Sequence, residues 1–100
     1  MDISELVIGD VFIANDNIVI GATFKDIKSK EEGAKMDISF FVDLWKGKQL
    51  EVSGNGYNIK TKILDVNVTS SIAEFKNIFF LTDLKSIGKI KVNDSVIVLQ

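Results

Sequence analysis

Along most of the chain, apolar and polar residues alternate with a period of two, the spacing of a strand with one buried face. Ile18, Ile20, Ala22 and Phe24 form one series, with Val19, Gly21 and Thr23 on the opposite side. Met36, Ile38, Phe40, Val42 and Leu44 form a second, interleaved with Lys35, Asp37, Ser39 and Asp43. Phe41 and Trp45 alone interrupt the polar face of that second run. Between the two series lies Lys28-Ser29-Lys30-Glu31-Glu32-Gly33, a stretch of mixed charge expected as an exposed loop. The pattern predicts two neighbouring antiparallel strands joined across it.

The strongest turn signal is Ser53-Gly54-Asn55-Gly56, because Asn and Gly accept the positive φ angles of a tight hairpin. It predicts a hairpin joining Gln49–Ser53 to a long strand from Tyr57 to about Thr69. That strand changes phase partway: Ile59 and Ile63 share one parity, Leu64, Val66 and Val68 the other. A phase switch implies a bulge, and bulges bend sheets into barrels or corners. Asn77–Leu81 is a solid apolar run, expected as a strand buried on both faces, and Val96–Leu99 closes the chain as a last strand. Two short helical turns are expected. Ser71-Ile72-Ala73-Glu74 has the form of a capping box, and Thr82–Gly88 starts on a cap residue and ends on glycine. Asn15-Asp16-Asn17 lacks the glycine and distant glutamate of a calcium loop and reads as a simple hairpin turn.

About seven short strands and no long helix predict an all-β single domain over residues 1–100, a small antiparallel barrel or barrel-like sandwich. Its expected core is Ile18, Ile20, Phe24, Ile38, Phe40, Val42, Leu50, Val52, Ile63, Val66, Ile78, Phe80, Val96 and Val98.

Composition narrows the chemistry. Proline, cysteine, histidine and arginine are absent, so all twelve basic residues are lysine, against fourteen acids and a formal net charge of -2. Without Cys or His, zinc and most transition-metal sites lack their ligands. Serine–histidine and cysteine–histidine nucleophiles fall with them. Without arginine there is no planar fork for bidentate phosphate recognition. Lys60 with Lys62 and Lys89 with Lys91 recur every other residue, each pair expected on one solvated strand face rather than in a dense basic stripe. Neither a secretory leader nor a membrane-crossing run is visible, which makes the cytoplasm the expected location. No cofactor is expected.

The segment Ile87-Gly88-Lys89-Ile90-Lys91-Val92-Asn93-Asp94-Ser95-Val96-Ile97-Val98 resembles the K-V-G-D-x-V-x-V step in the second domain of translation elongation factors such as elongation factor Tu. Asn93 stands where that family has glycine. Ile8-Gly9-Asp10-Val11 has the same local form, and the order of elements from Met36 to Leu99 follows that domain's second half. The resemblance implies a β-barrel. These 100 residues hold no phosphate-binding loop of the guanine-nucleotide domain, so the resemblance is expected to imply neither GTP hydrolysis nor a transferable functional residue.

For function, the residues that stand out are Phe41 and Trp45, two large rings on a strand face that also carries Asp37 and Asp43. Aromatic anchors beside acids suit a protein partner; the alternative is that a loop or the amino terminus folds over them. As a catalytic carboxylate pair, Asp37 and Asp43 fail, because six strand residues at about 3.3 Å each hold them roughly 20 Å apart. The expectation is a non-catalytic binding module acting on a protein partner, of the inhibitor or immunity type, with a homodimer as a further form. The alternative is a translation- or nucleic-acid-associated barrel accessory protein.

Overall fold

The computed structural model describes residues 5–25, 38–70 and 76–99. Within them lie β1 (Leu6–Ala14), β2 (Asn17–Phe24), α1 (Ile38–Trp45), β3 (Gln49–Gly54), β4 (Tyr57–Ser70), β5 (Lys76–Thr82) and β6 (Ser95–Leu99). The strands close in the order β1-β2-β5-β4-β3-β6, and every neighbouring pair is antiparallel. The protein is a small all-β barrel. Among the described residues no helix is long and apolar enough to cross a membrane.

Two bulges shape the ring. In β4 the register shifts between Ile63 and Asp65, as the phase change in the sequence predicts. Thr61 and Ile63 point inward before it, Val66 and Val68 after it, and Leu64 at the break is 37% exposed. In β1 the shift falls between Ile8 and Asp10 and leaves Gly9 unpaired. Leu6 and Ile8 are buried before that bulge, whereas beyond it Val11 packs on the core and Phe12 faces out. An extra residue swaps the two faces of everything downstream.

Both tight turns match their sequence signals. Asn15 and Asp16 (φ 50° and 66°) join β1 to β2 in the left-handed geometry that hairpin twist favours. Asn55 and Gly56, the latter at φ 84°, join β3 to β4. Asn93 also has positive φ (77°), a conformation that asparagine accepts more readily than most residues.

From Ile38 on, where the described residues begin, the Met36–Leu44 series is not a strand. Ile38–Trp45 forms α1, and the reason is that two periods fit one run. Ile38, Phe41, Val42 and Trp45 follow helical spacing as well as the alternate residues follow strand spacing. Lys46 N–H completes the last turn on the Val42 carbonyl at 3.0 Å, and Gly47 at φ 87° ends it. Nor does Thr82–Gly88 form a helical turn. Thr82 stays in β5, where its hydroxyl donates to the Ile18 carbonyl (2.8 Å) and accepts from the Leu84 N–H (3.3 Å). Lys89 and Lys91 consequently lie in an irregular segment before β6 and not on a strand. The Lys28–Gly33 loop and the Ser71–Glu74 turn fall outside the described residues.

Inside the ring sit Leu6, Ile8, Ile18, Ile20, Ala22, Phe24, Leu50, Val52, Ile63, Val66, Val68, Ile78, Phe80, Ile90 and Val96. Phe40, Val42 and Val98 are partly buried against them.

Candidate functional site

The aromatic pair that stood out in the sequence lies in the interior. Phe41 and Trp45 are both 0% exposed. Trp45 sits 5.3 Å from Phe41 and 5.5 Å from Phe80, ring centre to ring centre, and Phe41 continues to Phe24 at 6.1 Å. On a strand these two rings would share an outward face; on α1, four residues apart, they share the face turned to the core. The helix thus carries two large apolar groups into the barrel. Asp43 is exposed on the opposite side of α1, and Asp37 lies outside the described residues. The four residues do not make one surface patch.

The surface feature that the fold does build is a groove of about 420 Å³ across the outer face of β1, β2, β5 and β4. Phe12, Val19, Phe79 and Leu81 form its apolar floor, and Asn15, Asp65, Asn67 and Thr69 its polar rim. Strand parity places each of them. Val19 lies between inward Ile18 and Ile20, and Phe79 and Leu81 alternate with inward Ile78, Phe80 and Thr82. Phe12 and Asp65 face outward because the two bulges shift β1 and β4 by one residue. Phe12 and Phe79 lie 6.3 Å apart, tilted at 58°, and Phe12 remains 40% exposed. Gly21 explains how Phe79 lies so flat: a Cβ there would stand 2.8 Å from the ring. β5 is therefore half-covered on its outer face, not buried on both.

The alternation along the chain does not single out Phe12, Val19, Phe79 or Leu81 as neighbours. The usable signal was Gly9, whose bulge decides which way Phe12 points.

At another place on the barrel, Asn55, Tyr57, Gly88, Lys89, Lys91 and Asp94 line a polar cleft. The Asp94 carboxylate accepts from the Tyr57 hydroxyl and from the Lys91 N–H (2.9 Å). Burial, then the hydrogen bond and charge of Asp94, push the Tyr57 phenol above its ordinary value. This clamp ties the β3–β4 hairpin to the turn before β6, so its chemistry is spent on the fold. Two further carboxylates are held low: Glu5 by hydrogen bonds from Ser95 and Lys25, and Asp83 mainly by the Thr61 hydroxyl. Among the described residues no group of three or more acids is placed to hold a metal ion.

No family model, no curated protein and no solved structure matches this chain.

Proposed function

We propose that the protein is a non-catalytic binding module, of the accessory or inhibitor kind, and that it takes a protein partner through the groove on β1, β2, β5 and β4. The observation that carries this reading is the Phe12–Phe79 pair on an open, apolar floor with a polar rim. Aromatic anchors at the centre and polar groups at the edge are the anatomy of protein interfaces. A rigid sheet presents them at little entropic cost. The lysines favour this over nucleic acid. Lys60 faces Glu51 and Lys62 faces Gln49 across β3, which breaks up any continuous basic track.

The test uses rim residues that are exposed, so that the barrel is left intact. The tagged wild-type chain and the double variant Asn67→Lys, Thr69→Lys are each used to capture partners from the source cells. A protein held by the wild type in both low and high salt, and lost by a variant that melts normally, is the expected result. Capture of nucleic acid that fades steeply with salt, or equal capture by both chains, overturns the reading.

A further inference from the structure

The barrel is closed by uneven seams, and among the described residues one strand keeps an open edge. β6 pairs with β1 at Leu6 and Val7 alone, and the Asn93–Asp94 turn takes the next step by bonding to both backbone groups of Ile8. Beyond the Gly9 bulge, β1 runs on for five residues with β2 on one side and no described residue paired on the other.

Ladder alternation shows which groups that edge presents. The two-residue turn closes on Ala14 and Asn17, so that pair exchanges hydrogen bonds, as do Phe12 with Val19 and Asp10 with Gly21. Val11 and Ile13 then direct their N–H and C=O away from β2. The same parity is visible on β2, where Ile18, opposite Ile13, sends its N–H outward to the Leu84 carbonyl at 3.0 Å. Beyond the Gly9 bulge the edge carries one charge, Asp10, and neither proline nor lysine, and Ile13 on it is 61% exposed.

We propose that β1 pairs antiparallel with β1 of a second copy of this chain, about a two-fold axis at Phe12. This does not depend on the groove having a partner. The outward groups stand at positions 11 and 13, symmetric about 12, so the register is self-complementary. Val11 meets Ile13 of the second copy and Ile13 meets its Val11, each pair exchanging two hydrogen bonds, four in all. Phe12 meets Phe12 in a pair without hydrogen bonds, where side chains approach most closely, and extends the Phe12–Phe79 contact into a cluster shared by both copies. Charge fits as well. Asp10 meets Ala14 and not another Asp10. An unrelated extended peptide would satisfy the same backbone groups, but it would not bring this symmetric register.

The experiment exploits a chain without cysteine. In the full chain, Phe12→Cys is expected to form an intermolecular disulfide under mild oxidation, because paired residues without ladder bonds lie within disulfide reach. Asp10→Cys is expected not to link to itself, yet to link to Ala14→Cys when the two variants are mixed. Sedimentation equilibrium is expected to give a dimer for the wild type and half that mass for Ile13→Pro, which removes one outward N–H and no bond to β2. A wild-type monomer at all concentrations overturns the proposal. So does a dimer in which Phe12→Cys links no faster than Asp43→Cys, whether or not Ile13→Pro folds. The rim variants on β4 are expected to keep the dimer mass, which separates this edge from the groove.

Discussion

Trp45 is the residue on which the packing turns. Its indole is fully enclosed against Phe41 and Phe80, while its Nε1 finds no hydrogen-bond partner among the described residues. Removing the ring leaves a cavity, so Trp45→Ala is expected to cost about 3–5 kcal/mol in urea unfolding. Trp45→Phe is expected to cost clearly less, since an orphaned buried donor carries a penalty of about 1–3 kcal/mol that the phenyl ring does not. Equal losses for the two variants would contradict this account of the ring. Tyr57, the one tyrosine, reports on the Asp94 clamp. Its phenol is raised in the fold, so the stabilisation it brings is complete below the ordinary pKa of 10.0 and is lost as pH rises through the folded value. Ultraviolet titration is expected to show its phenolate forming later than in free tyrosine, and Asp94→Asn to bring the transition back down. An unshifted titration in the wild type would mean that the clamp is not made in solution.

At the scale of elements, the alternation in β2 and the phase break in β4 were legible because each has a single reading. The break at Leu64 places that side chain at the surface and Val66 in the core. Leu64→Lys is therefore expected to change stability by no more than about 0.5 kcal/mol. Val66→Lys is expected to cost far more, because it takes an unpaired ammonium to a position 5% exposed. Similar melting losses for both would remove the bulge from this position. The Ile38–Trp45 segment was not legible in the same way. It is apolar at nearly every position, so periods of 2 and 3.6 both fit, and local pattern cannot choose between a strand and a short helix. Thr82–Gly88 failed differently: its cap signal is real, but the Thr82 hydroxyl serves β2 and the following turn.

For the molecule as a whole, the pairings around the ring differ in length. β4 meets β5 along residues 63–70, whereas β1 meets β6 at two positions. Short seams open at lower free energy than long ones. Native-state hydrogen exchange is expected to show the amides at Leu6, Ile8 and Val96 exchanging before those at Asn67, Phe79 and Leu81. The reverse order would mean that the barrel opens elsewhere. The same shortness leaves the outer half of β1 with β2 alone among the described residues, so closure and the open edge have one origin.

The sequence by itself determined that the chain makes a small all-β barrel or sandwich of short strands, where its two hairpins turn, where β4 bulges and most of the β2, β3 and β5 core. Those features rest on interactions between residues near in sequence: alternation, turn chemistry and the φ demands of Gly and Asn. Tertiary structure alone decided that Phe41 and Trp45 are core. It also decided that Phe12, Val19, Phe79 and Leu81 share one groove, and that β1 keeps an edge free of any described residue. The physical reason is that each depends on which strands become neighbours. A side chain's parity says which face it takes, but the ring order β1-β2-β5-β4-β3-β6 says what else stands on that face.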